Sequence, residues 1–128
     1  MLLVEDNPGD VRLLHALLTE AGSSPFELLQ ADRLSTAMEL IDEASIDLIL
    51  LDLSLPDGQG LDTFTRVHAH APSVAIVVLT GLADETLATQ AVREGAQDYL
   101  VKGQVDSDLL VRSMRYAIER KSLEEQLA

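Results

Sequence analysis

The chain has 128 residues, 47% of them hydrophobic, which suits one compact domain with a real core and leaves no surplus for a second. A formal net charge of -13 argues against a general binder of phosphate backbones, although Arg112, Arg115, Arg120 and Lys121 gather basic charge near the C-terminus. No cysteine is present, so disulfides and thiolate metal sites are excluded, and no apolar run is long enough to cross a bilayer. The expectation is a cytoplasmic protein with no membrane and no direct nucleic-acid partner.

Leu2-Leu3-Val4 is a short apolar run, a first strand ending in the acid pair Glu5-Asp6. Only Met1 precedes it, so the chain reads as cut close to a domain boundary. Pro8 suits a first helical turn, and Val11, Leu14, Leu17 and Leu18 recur at helical spacing, which predicts a helix from Pro8 to Ala21. Phe26–Ala31 reads as a second strand, and Leu34, Ala37, Met38 and Ile41 as the stripe of a second helix. Asp47–Asp52 is a near-continuous apolar strand that needs cover on both faces. Pro56 and Gly58 stop it. A third helix follows over Gly60–Ala69, a fourth strand over Val74–Thr80 and a fourth helix over Glu85–Glu94. Asp98–Val101 is the fifth strand, ending at Lys102, and the last helix starts near Val105.

Strands separated by helices need crossover connections, so they lie parallel with helices on both faces. The class is α/β: a doubly wound, five-stranded parallel sheet with five helices, flavodoxin-like, its strand order 2-1-3-4-5 assumed. Ligands of such sheets bind outside the carboxyl ends of the strands, where the order reverses. Glu5, Asp6 and Asp52 converge there. Carboxylates about 4 Å apart repel by roughly 4 kcal/mol at a surface-like dielectric, so the crevice calls for a cation. A hard divalent ion, Mg²⁺ retaining several waters, fits carboxylates plus a backbone carbonyl, and Lys102 offers a second, fixed positive charge. Asp52 is then placed to attack phosphorus, with the Thr80 hydroxyl as a donor to a phosphoryl oxygen.

Together these residues resemble the receiver domain of bacterial two-component response regulators. Glu5-Asp6 matches the family's acidic pair, Asp52 its phosphoacceptor, Thr80 its hydroxyl residue and Lys102 its lysine. Leu53–Gly60 resembles the loop after the acceptor, and Tyr99 matches an aromatic position that swings inward on activation. The resemblance covers Leu2 to Glu119. It implies that Asp6 and Asp52 ligate Mg²⁺ directly, that Glu5 acts largely through water, and that the Ser54 backbone carbonyl completes the protein ligands. It further implies phosphoryl transfer from a phosphohistidine on a sensor histidine kinase or phosphotransfer protein. Thr80 and Tyr99 then shift, switching the surface formed by the fourth helix, fifth strand and fifth helix. Such a domain is not a conventional enzyme, but it catalyses its own phosphotransfer and slow dephosphorylation.

One departure is Gly103, where the family usually has proline, commonly after a cis bond. A cis bond before glycine costs about 2.5–4 kcal/mol, so a trans peptide or an otherwise rearranged loop is expected. The alternative function is a receiver-like interaction module acting without phosphorylation. A flavodoxin-like cofactor binder lacks its phosphate-cradling loop here, since Glu5-Asp6 repels phosphate. A haloacid-dehalogenase-like phosphatase lacks its second acid, because Ser54 stands there.

Residues 1–119 are therefore expected to form the receiver and 120–128 a helical extension. Leu110, Met114 and Ala117 make a core-facing stripe that Glu119-Arg120-Lys121-Ser122 breaks before Leu123 and Leu127. Beyond about Ile118 the helix is expected to leave the core, as a linker to an output domain, as a homodimer contact, or as a frayed end. His68 and His70 point apart on their helix and read as surface residues, His15 reads as structural, and Asp57-Gly58 as turn chemistry.

Overall fold

The computed structural model describes residues 1–21 and 27–127, apart from the side chain of Leu82. Five strands alternate with five helices: β1 (Leu2–Val4), α1 (Pro8–Glu20), β2 (Leu29–Ala31), α2 (Leu34–Glu43), β3 (Leu48–Asp52), α3 (Leu61–His70), β4 (Ala75–Thr80), α4 (Glu85–Arg93), β5 (Asp98–Val101) and α5 (Ser107–Leu127). The sheet is parallel in the order 2-1-3-4-5, as expected. β2 is shorter than the Phe26–Ala31 expected, and Phe26 lies outside the described residues. A two-stranded hairpin, Ser54–Leu55 with Gly58–Gln59, joins β3 to α3 and was not foreseen.

Alternation along the strands divides the core into two layers. Leu2, Val4, Ile49, Leu51, Ile76 and Val78 face α2, α3 and α4, where Leu34, Ala37, Phe64, Val67, Ala88 and Ala91 meet them. Leu3, Leu48, Leu50, Val77 and Leu79 face α1 and α5, against Val11, Leu14, Leu18, Leu110, Met114 and Ala117. Each of these leucines is buried, and a fully buried leucine contributes about 1.5–3 kcal/mol. Two helices on one face and three on the other satisfy the demand of a strand that is apolar throughout.

The helix starts show why the acids are free for other work. Asn7 caps α1, its Oδ1 accepting from the N–H groups of Gly9 at 2.8 Å and Asp10 at 3.1 Å, so neither Glu5 nor Asp6 is needed as a cap. Gly60 precedes α3 with φ +68°, a left-handed conformation that suits glycine, and its N–H closes the hairpin on the Leu53 carbonyl at 2.8 Å. No peptide bond among the described residues is cis, in line with the expectation at Gly103, whose φ is +84°. Proline, held near -65°, does not fit that turn.

Past Ile118, α5 continues as one helix to Leu127. Ile118 is the last residue of α5 packed against the core, and beyond it the helix stays tied to the body by polar contacts. Arg120 Nη2 donates to the Gln97 carbonyl at 2.9 Å, Gln97 Nε2 to Glu124 Oε2 at 3.1 Å, and Ser73 Oγ to Glu125 Oε2 at 3.4 Å. Leu123 and Leu127 are exposed.

Candidate functional site

Strand register assembles the site. Val4 pairs with Leu51, so the next residues out, Glu5 and Asp52, emerge side by side from β1 and β3. Asp52 pairs with Leu79, which puts Thr80 one step farther along β4, and Thr80 pairs with Val101, which puts Lys102 one step beyond β5. The Lys102 N–H donates to the Thr80 carbonyl at 2.8 Å and fixes that step. Four residues far apart in sequence thus share one end of the sheet.

The ammonium of Lys102 is the hub. Its Nζ lies 2.9 and 3.0 Å from the two oxygens of Glu5, 3.0 Å from Asp10 Oδ2 and 3.4 Å from Asp52 Oδ2. Burial works against its charge, but the hydrogen bonds to Glu5 and Asp10 outweigh that and hold it above the usual lysine range. Glu5 is 1% exposed; burial first, and then the Asp52 carboxyl beside it, push it up to about 8 against the pull of Lys102. Asp52 is buried and accepts from the Ser54 N–H at 3.2 Å. Asp6 is exposed. Carboxylate oxygens of Glu5, Asp6 and Asp52 lie within 4.8 Å of one another.

Thr80 is buried, and its hydroxyl donates to the Gly81 carbonyl at 3.1 Å. Tyr99 lies farther back, half-buried against the α2, α3 and α4 layer, with its hydroxyl 3.4 Å from Glu85 Oε2 at the start of α4. Ser54 is exposed at the start of the first strand of the hairpin, two residues after Asp52. Glu5, Asp6, Asp52 and Lys102 are therefore together, Thr80 and Ser54 flank them, and Tyr99 stands apart on the α4 side.

Two residues of this neighbourhood escaped sequence reasoning. Asp10 looks like an ordinary first-turn acid of α1 and proves to be an ion-pair partner of Lys102; burial works to raise its carboxyl, but the hydrogen bonds with Lys102 and Glu5 and the charge of the lysine together hold it below the ordinary carboxylate range. Asp57, read as turn chemistry, does more: its oxygens accept from the N–H groups of Leu34 at 2.6 Å and Ser35 at 3.0 Å. It caps α2 from 23 residues away, where the local cap position, Arg33, offers no side-chain bond.

The histidines divide differently from the reading above. His70 is exposed and 2.8 Å from Asp42 Oδ1. His68 is not a surface residue: it is half-buried, stacked on Phe64 with centroids 5.3 Å apart, and its Nδ1 is buried without a partner. Gly95 makes room, since a Cβ there would lie 3.1 Å from His68 Nε2. His15 is exposed on α1.

The profile of the response regulator receiver domain matches residues 1–114 of this chain. The chain belongs to that family. The transcriptional regulatory protein ZraR of Klebsiella oxytoca is 28% identical over 125 residues, covering 98% of this chain and 27% of that protein. The regulatory protein LuxO of Vibrio cholerae is 41% identical over 86 residues, covering 67% of this chain and 19% of that protein. A crystal structure of a response regulator receiver domain protein from Clostridium thermocellum has a TM-score of 0.80 at 30% identity, over 95% of each chain. The chain spans about a quarter of the length of the first curated relatives it matches.

Receivers of this family generally bind Mg²⁺, and the residues present fit one. Glu5, Asp6 and Asp52 supply hard oxygen donors to a cluster whose negative charge the single ammonium of Lys102 offsets only in part. No helix among the described residues is long and apolar enough to cross a membrane.

Proposed function

We propose that Asp52 accepts a phosphoryl group from a phosphohistidine on a sensor histidine kinase or a phosphotransfer protein. One observation carries the reading: a buried carboxylate at the outer end of β3 has an ammonium 3.4 Å away and two further carboxylates with oxygens within 4.8 Å. An Asp52 oxygen attacks phosphorus and the N–P bond breaks. The imidazole nitrogen keeps the electron pair and takes a proton from water. Lys102 offsets charge on the phosphoryl oxygens, and Thr80, turned away from the Gly81 carbonyl, donates its hydroxyl to one of them. Asp6, Asp52 and the Ser54 carbonyl would hold Mg²⁺, with Glu5 acting through water. A bound Mg²⁺ supplies positive charge to the transferring group. The receiver in this way assists its own phosphorylation and the slow hydrolysis that reverses it, without acting on a separate substrate.

A phosphoryl group adds about -1.5 to -2 charge. Thr80 and Tyr99 shift in response and change the surface of α4, β5 and α5. The position of Tyr99 supports this, since its hydroxyl already reaches Glu85 at the head of α4. Residues 1–119 form the receiver, and 120–128 begin a connector to a fused or separate output domain, a reading supported by relatives much longer than this chain. The exposed Tyr116, Leu123 and Leu127 give the same helix a route to a homodimer. Phosphoryl transfer from such a kinase would take place in the cytoplasm, and the receiver is assigned there on that reading.

Intact mass after incubation with acetyl phosphate tests the reading, with and without Mg²⁺, on wild type and Asp52→Asn. A Mg²⁺-dependent single adduct absent from Asp52→Asn is the expected result. An adduct that persists in Asp52→Asn overturns the assignment of the acceptor, and a wild type that accepts nothing from acetyl phosphate or from a phosphohistidine protein overturns the function.

A further inference from the structure

A lysine ammonium has three donors, and those of Lys102 are all engaged: two on Glu5 and one on Asp10 Oδ2 at 3.0 Å. Asp52, at 3.4 Å, has the ammonium's charge but not one of these bonds. If Lys102 is to serve a phosphoryl oxygen on Asp52, one existing partner must let go. The Glu5 side chain is fully buried and holds the ammonium through two bonds, whereas that of Asp10 is 30% exposed, holds it through one and is readily resolvated. The Asp10 bond is therefore the one that yields.

We infer that Asp10 is a positioning residue that competes with the incoming phosphoryl group for Lys102. It parks the ammonium beside the first turn of α1 at rest, and phosphoryl uptake has to displace it. The inference rests on Asp52 as phosphoacceptor. The step is attack of an Asp52 oxygen on the phosphorus of acetyl phosphate, with the bond to the acetate oxygen breaking and acetate leaving with the electron pair. Asp10 acts on that step only through Lys102.

Asp10→Asn keeps the shape of the side chain and removes its charge. The test follows adduct formation by intact mass at saturating Mg²⁺ over a range of acetyl phosphate concentrations. The half-saturating concentration is expected to fall about fivefold in Asp10→Asn with the maximal rate little changed, as when a charged hydrogen-bond acceptor is exchanged for a neutral one. Asp10→Glu, which retains the charge, is expected to stay near wild type. Thermal melts accompany both variants, and Asp10→Ser, another residue suited to a first helical turn, replaces Asn if the amide lowers stability. A variant that melts differently while its half-saturation matches or exceeds wild type shows a merely structural Asp10 and overturns the inference. A wild type that takes up no phosphoryl group removes the acceptor reading and this inference with it.

Discussion

The middle of the sheet and its carboxyl end are one residue apart and follow opposite rules. Leu48, Ile49, Leu50 and Leu51 are fully buried among apolar side chains, and every side-chain atom they hide from water favours the fold. The next residue along, Asp52, is also buried, as is Glu5 beside it, yet hiding acids there has a cost that Lys102 only partly offsets, and burial pushes Glu5 up to about 8. A chain selected for stability alone has no reason to put two carboxyls in such surroundings. Burial at the middle is structural; burial at the end is tolerated because it brings charged groups to one point.

Substitutions at the two places should move stability in opposite directions. Leu50→Ala leaves a cavity between the sheet and the α1 and α5 layer, and is expected to lower unfolding stability by about 2–5 kcal/mol in a denaturant titration. Asp52→Asn removes one of the carboxylates crowded round Lys102 and is expected to raise stability by about 1 kcal/mol in Mg²⁺-free buffer at pH 7, read as a higher melting temperature. Equal destabilisation by both substitutions would erase the distinction between the two regions.

Asp57 sharpens the contrast, because its charge is stabilising. Hydrogen bonds from the Leu34 N–H first, and from the Ser35 N–H, hold its carboxyl below the ordinary range against slight burial. A lowered carboxyl stabilises the fold above its ordinary value, and the contribution disappears as pH falls through the lowered one. Asp57→Ala removes the cap and is expected to lower stability by about 1 kcal/mol at neutral pH. The gap to wild type should narrow below roughly pH 4 as the wild-type carboxylate takes up its proton. A gap that is constant down to acid pH would show that the charge of Asp57 does no work at α2.

Which of these residues a reader of the sequence could find depends on how local its partners are. Leu48 to Leu51 declare a doubly covered strand without help, because an apolar run of that length has few other uses. Asp52, Glu5, Asp6 and Lys102 stand at strand ends, so strand prediction alone brings them to one edge, although the strand order had to be assumed. Asp10 and Asp57 are different. Their partners lie 92 and 23 residues away, and nothing in a window of sequence around either acid marks it out from a first-turn acid or a turn residue. The signal for Asp10 existed only as a count: one lysine at the sheet end against more acids than it needs. The packed His68 was hidden for a similar reason, since its room is made by Gly95, in the segment after α4.

The smallest expected effect concerns the far end of α5. Gln97 and Ser73 hold Glu124 and Glu125 through exposed side-chain hydrogen bonds, which water replaces at little loss. Gln97→Ala is expected to change global stability by less than about 0.5 kcal/mol, while amide exchange speeds up in the last turns of α5 and nowhere else. The Arg120 bond to the Gln97 carbonyl survives that substitution, so release should begin beyond Arg120. Exchange that stays slow would mean that helix propensity and the Lys121 pairs with Glu124 and Glu125, both 3.8 Å, suffice to hold the extension. Exchange that accelerates back through Ala117 would mean that polar contacts outside the core support the apolar stripe as well, and the boundary between receiver and extension would then lie earlier than residue 119.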